Sequence, residues 1–228
     1  MNLVHTVNMV HLRVVPDDRR DRNRERRRRE FLDAAGRVID RDGLDGVTIK
    51  AIADDLDCAV GTVYRYFASK ADLIDALAGE AMARLAASYR TAAATWDDVL
   101  AGEDLDEASR VLVDLQAWSA FWASAAVVYA DEYALAMTAI EQLTDVPAAL
   151  LDEAAALDVI EPATGADRAL RWVAALRGVL GLDRAVAHAR ALTMDLLTGW
   201  GADRADVEIA AGAVDTLAAH GPMAPQVP

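Results

Sequence analysis

The sequence predicts an all-α protein, with a small three-helix head at the N-terminus and a larger helical bundle after it. Three observations lead there. Apolar residues recur at helical spacing along most of the 228 residues, Ala is abundant, and Gly and Pro are sparse at 13 and 6. No β-branched or aromatic run alternates strictly, which is the pattern a half-buried strand needs. A chain of this length holds one or two domains and can bury a sizeable core.

The elements follow in order. Residues 1–22 are expected to form a disordered tail, since MNLVHTVNMVHLRVVP has neither a basic start nor a compact apolar stretch. Phe31, Ala34, Ala35, Val38 and Ile39 share one face of a first helix expected over Arg24 to Asp40. DGLDGVT, Asp42 to Thr48, reads as a turn. Thr48 then caps a short second helix whose inner set is Ile49, Ile52, Ala53 and Leu56. After Asp57-Cys58-Ala59 a third helix is expected from Val60 to Phe67, with Val60, Val63 and Phe67 facing inward. Cys58 is expected to fill a small buried slot. Ser69 can cap a long fourth helix with Leu73, Ile74, Leu77, Ala81 and Leu85 inside.

Two short helices joined by a tight turn and braced by a longer one make a helix-turn-helix unit, over residues 23–70. Further helices are expected at about 70–94, 105–122, 125–144, 147–157, 165–181, 184–199 and 203–219, making a second domain over 71–220. Residues 221–228 form a Pro-containing tail expected to be disordered.

Charge divides the same way. The net charge is −14, yet residues 1–70 carry 14 Lys/Arg against 12 Asp/Glu, whereas residues 71–228 carry 9 against 25. Such asymmetry suggests a part that meets polyanion and an acidic part that is repelled by it and helps orient the first. RNRERRRRE, Arg22 to Glu30, concentrates six arginines in nine residues. Placed upstream of the first helix, this run either tracks phosphates as basic arms do or stays a solvated tail.

The stretch CAVGTVYRYFASK, Cys58 to Lys70, mixes apolar, aromatic, hydroxyl and cationic residues as a helix does when one face is buried and the other meets DNA. Gly61 has no side chain to hold the backbone off a duplex. Thr62, Tyr64 and Tyr66 reach phosphate oxygens. Arg65 pairs with phosphate or bidentately with guanine. Lys70 heads the next helix, and Thr48 and Lys50 start the second one, where they would meet the neighbouring strand. The alternative is an amphipathic helix whose polar residues are only solvated.

From Gly43 to Leu73, GLDGVTIKAIADDLDCAVGTVYRYFASKADL closely resembles the DNA-binding domain of TetR-family transcriptional regulators. Gly43, Thr48, Ile52, Ala53, Gly61, Tyr64, Tyr66, Phe67, Lys70 and Leu73 fall in register with the family pattern. The resemblance covers about residues 24–75. It implies a homodimer, a palindromic double-stranded DNA operator and a ligand-responsive C-terminal domain, with Thr48, Lys50, Gly61, Thr62, Tyr64, Tyr66 and Lys70 as DNA contacts. Arg65 is added from its outward direction. The chain departs from the pattern at Leu56-Asp57-Cys58-Ala59, where members commonly have Ala-Gly-Val-Ser. Losing the Ser removes a capping hydroxyl worth about 1 kcal/mol.

In the acidic body, Trp118, Trp122, Tyr129 and Tyr133 would share one face of an unbroken helix, with Phe121 beside it. The stripe is either plain core or the lining of a cleft for a partly apolar small molecule. ALRWVAALRGVLGL, Ala169 to Leu182, is similar to the penultimate, dimerising helix of the family. With Asp206 to Ala218 it would build a four-helix bundle across a two-fold axis, Leu170, Val173, Val179 and Leu180 lying in the interface.

No catalytic motif, cofactor loop or metal-ligand cluster stands out, and His188 has no companion at ligand spacing. The single Cys58 excludes a disulfide framework, so a reducing cytoplasm is expected. No stretch approaches the roughly 18 or more uninterrupted apolar residues of a membrane span. The expectation is a dimeric repressor released from its operator by a small molecule, with no cofactor, no metal and no enzymatic activity. A helical enzyme and a ligand-binding or interaction module without operator-specific repression are the alternatives.

Overall fold

A computed structural model describes residues 19–128, 130–136, 143–221 and 223. Both expected tails fall largely outside the described residues. These residues form ten α-helices and one short 3-10 turn, with no strand among them. The chain divides into two compact units, residues 1–70 and 71–228.

The first unit is built on α1 (Arg19–Asp42), which starts earlier than the sequence suggests. Arg19 to Arg22, expected in the tail, and the arginine run itself are helical. The reason is local: Arg is a good helix former, and Arg29–Glu25 (3.6 Å), Arg26–Glu30 (4.0 Å) and Arg27–Glu30 (2.5 Å) pair across single turns. The run is thus neither an unstructured arm nor a loose tail.

Phe31, Leu32, Ala34, Ala35, Val38 and Ile39 are buried. They pack on the 3-10 turn Leu44–Gly46 and on α2 (Ile49–Asp55). Gly43 enters that turn with φ 73°, a region glycine takes without the usual Cβ penalty.

Thr48 caps α2, its side chain accepting from the Ala51 N–H at 3.0 Å. Ile49, Ile52 and Ala53 are buried, while Leu56 is only half-buried at the C-terminal end. Asp57 turns the chain with φ 46°, a left-handed conformation that Asp tolerates better than most side chains.

The third helix is shorter than expected. α3 spans Val60–Val63 and gives way to a turn over residues 64–66. Val63 and Phe67 are fully buried, each contributing about 1.5–3 kcal/mol. Val60 is 39% exposed rather than inward-facing, because at the first helical position it points out over the start of the helix. Cys58 is half-buried, since the backbone there is still turning between helices.

The second unit contains α4 (Lys70–Val99, of which Lys70 belongs to the first unit), α5 (Glu107–Val128), α6 (Ala130–Ala136), α7 (Asp145–Ala156), α8 (Gly165–Leu180), α9 (Ala185–Gly199) and α10 (Arg204–His220). α5 is its centre, packing on α6, α7, α8, α9 and α10. It is apolar and long enough to cross a membrane, but two thirds of its most apolar window is buried against neighbouring helices, as in a core helix.

Three polar contacts tie the helices together inside or at their ends. The Gln116 amide donates to the Val207 carbonyl (3.0 Å), tying α5 to α10. The Trp172 indole donates to Thr193 Oγ1 (3.3 Å), whose contact with Ser119 Oγ (2.7 Å) joins α8, α9 and α5. Asp203 caps α10 by accepting from the Ala205 N–H at 2.7 Å.

Of the helix expected over 125–144, residues up to 128 belong to α5 and residues 130–136 to α6, residue 129 lying outside the described residues. Residues 137–142 lie outside the described residues.

Candidate nucleic-acid interface

The surface of the first unit that carries the predicted DNA contacts is set by two anchors, Val63 and Phe67. Burying them turns the intervening residues outward. Gly61, Tyr64 and Arg65 are exposed, Thr62 is half-buried, and Lys70 at the start of α4 is exposed. Tyr64 keeps 51% of its surface in solvent.

Ala59 is the N-cap of α3 and offers no side-chain cap, so the first N–H groups of this helix stay available to an acceptor. A Cβ added at Gly61 would meet nothing within 4 Å, and its φ is not positive. Nothing inside the head therefore requires glycine there, whereas close approach of an outside backbone does.

On α2, Thr48 Oγ1 accepts the capping bond, which leaves its own hydroxyl proton free to donate outward. Lys50 is exposed and pairs with Asp54 at 2.6 Å on the same helix. Binding a phosphate means exchanging that surface partner, an interaction of at most about 1 kcal/mol.

Tyr66 differs from the other predicted contacts. It is half-buried, its ring 5.2 Å from that of Phe31, with the Arg24 guanidinium 5.7 Å from its centroid. Its carbonyl accepts from Arg28 Nη1 at 3.1 Å, and Arg28 also lies 4.3 Å over the Phe67 ring. Tyr66 thus braces the recognition turn against α1 and leaves only its outer edge to a ligand. Sequence reasoning missed Arg24 and Arg28. Their spacing to Phe31, i, i+4 and i+7, puts all three on one face and was the available signal.

The second unit holds the aromatic candidates. Trp118, Phe121 and Trp122 are buried, with Trp118 5.1 Å from Trp172 and Phe121 5.4 Å from Tyr89. Tyr133 falls on α6. Tyr129 and the side chain of Tyr133 lie outside the described residues.

The Trp122 indole N–H is buried without an acceptor. One turn before Trp118, Asp114 is pushed up to about 6. Burial is the main cause, Arg110 opposes it, and Asp97 and Glu153 add to it. Burial, with Asp114 nearby, also raises the Tyr89 phenol well above its ordinary value.

The expected interface residues separate. Leu170 is 52% exposed and Val179 and Leu180 are half-buried, but Val173 is buried within the chain, because it faces inward from α8. α8 is also third from the end, not penultimate, since α9 lies between it and α10. Sequence reasoning passed over Val186 on α9 and Ile209 on α10, 42% and 59% exposed. No group of three or more His, Cys, Asp or Glu that could hold a metal comes together among the described residues.

Residues 31–77 match the family described as "Bacterial regulatory proteins, tetR family". Over 62 residues the chain is 44% identical to the HTH-type transcriptional repressor KstR of Mycobacterium tuberculosis, covering 27% of this chain and 28% of that protein. It is 30% identical over 106 residues to the HTH-type transcriptional regulator BetI of Burkholderia lata, covering 43% and 55%. These matches thus span from about a quarter to about half of the relatives' own lengths. Among solved structures, the multidrug binding protein EbrR complexed with imidazole aligns over 75% of this chain and 94% of its own, at a TM-score of 0.44 and 23% identity. Over its head, residues 31–77, the chain is thus similar to the tetR family of bacterial regulatory proteins.

Proposed function

We propose that this chain is a sequence-specific transcriptional regulator that binds duplex DNA through its head and is released by a small, partly apolar molecule bound in its second unit. The observation that carries the reading is the recognition turn. Gly61, Thr62, Tyr64, Arg65 and Lys70 are held outward by buried Val63 and Phe67, with a glycine that no internal packing demands. Thr48 and Lys50 extend the surface onto α2. Tyr64, Arg65 and Lys70 then contact phosphate or base edges, and Tyr66 positions them.

A palindromic operator requires two heads, their recognition elements roughly 34–36 Å apart to enter successive major grooves. Dimerisation through the C-terminal helices fits exposed Ile209 and Val186, together with Leu170, better than it fits Val173. Release follows if an effector favours a spacing that does not match the grooves, its affinity and that of DNA being linked reciprocally.

Trp118, Phe121 and Trp122 are the proposed effector contacts. The rings touch one another, so a ligand enters by parting them, and an acceptor on it would satisfy the Trp122 N–H. This regulator performs no catalysis and needs no cofactor. It acts in the cytoplasm.

The test is selection of bound fragments from the source genome, followed by footprinting of the recovered DNA. A symmetric footprint supports the reading, and equal binding to scrambled DNA overturns it. Compounds that release the recovered DNA are then tested on Trp122→Phe. This variant removes only the unpaired N–H, so it should bind DNA as before and respond more weakly. An unchanged response assigns Trp122 to the core.

A further inference from the structure

The arginine run of α1 forms a second feature beside the recognition turn. A surface cavity of about 430 Å³ is lined by Arg20, Asp21, Asn23 and Arg24 of α1 and by Arg65 and Tyr66 of the turn. Among the described residues that line it there are three guanidiniums and one carboxylate. The other carboxylates of this segment are engaged elsewhere, Glu25 with Arg29, and Glu30 with Arg26 and Arg27. The cavity is also held in place. Arg28 is anchored to the Tyr66 carbonyl and the Phe67 ring, and Arg24, one turn earlier, lies against the Tyr66 ring. Arg20 follows one turn earlier still on the same face.

We propose that this cleft is a phosphate-binding site for the backbone of duplex DNA, so that the N-terminal turns of α1 widen the DNA-contact surface beyond the helix-turn-helix. The inference rests on the reading of the head as DNA-binding. The occupant is a duplex because the cleft shares Arg65 and Tyr66 with the recognition turn, so whatever meets that turn lies alongside it. Guanidinium forks suit phosphate oxygens, and three of them converging from two elements can hold one or two phosphates without reading sequence.

The experiment compares the full chain with Arg20→Gln/Arg24→Gln, with Arg20→Lys/Arg24→Lys and with Arg65→Gln. Binding is measured from 50 to 200 mM salt on the duplex the wild type protects and on a random-sequence duplex. Losing two phosphate contacts per head should flatten the slope of log affinity against log salt by about 1.8 per head. The wild type should then lose roughly tenfold more affinity per head than the Gln variant across that range, or about a hundredfold for a two-headed complex. The Lys variant should keep most of the slope. Arg65→Gln, at an exposed side chain, should flatten it without lowering the melting temperature. Ethylation interference should show extra backbone phosphates that disappear in the Gln variant.

Identical slopes in all four proteins, with the footprint intact, would overturn the site while leaving the regulator reading in place. Equal weakening by Gln and Lys at unchanged slope would show that these arginines only brace Tyr66. A wild type that binds neither duplex would sink both readings.

Discussion

Asp114 offers the sharpest quantitative test of the second unit. Its carboxyl sits on α5 beside the aromatic cluster, paired with Arg110 at 3.0 Å, while Arg110 also holds Asp97 at 2.6 Å. Burial outweighs the guanidinium, so the pKa rises from 3.8 in the unfolded chain to about 6. A carboxyl raised on folding binds its proton more tightly in the native state. The contribution of this carboxyl to stability is therefore greatest below about pH 4 and is lost as pH climbs through about 6. A rise from 3.8 to about 6 corresponds to at most about 3 kcal/mol, or about 6–12 °C in melting temperature for a domain of this size. The net charge of −14 adds repulsion in the same direction, so the wild type alone does not isolate the effect. Asp114→Asn does, because it fixes the neutral form while leaving Arg110 its bond to Asp97. Thermal melts followed by circular dichroism should show the variant approaching the wild type near pH 3.5 and exceeding it at pH 7.5. A variant less stable than the wild type at pH 7.5, with the wild-type pH slope retained, would refute the claim that burial dominates over Arg110.

Two further outcomes test the head. Asp57 holds φ 46°, so Asp57→Gly should stabilise it by about 0.5–1 kcal/mol and Asp57→Val should destabilise it by more, read from denaturant midpoints. Thr48→Val keeps the shape of the α2 cap but loses its oxygen. It should cost about 1 kcal/mol and weaken DNA binding, with Thr48→Ser restoring both.

How much of this was legible in the sequence differs between the units. In the head, periodicity located α2 and the buried faces of α1 and α3, because Phe31, Val38, Ile52, Val63 and Phe67 each have one face to satisfy. The start of α1 was missed because charge was read as a sign of solvation, whereas Arg26, Arg27 and Arg29 stabilise the helix through partners one turn away. Tyr66 appeared to be an outward contact because pattern alone cannot reveal that an aromatic side chain leans on Phe31 from a distant segment. The body is harder. Its Ala-rich helices are apolar on several faces, so periodicity did not distinguish core Val173 from exposed Leu170. Asp114 looked like any surface acid, and only the packing of α5 reveals its burial.

The measurement that bears most directly on the central claim is a footprint of the full chain on DNA selected from the source genome, repeated with Tyr64→Ala. Tyr64 is 51% exposed on the recognition turn and carries none of the head's core. The account predicts a symmetric protected site for the wild type. For the variant it predicts an unchanged melting temperature and oligomeric state, with affinity for that site reduced at least tenfold. Protection that is equal on scrambled DNA, or undiminished by Tyr64→Ala, would contradict it.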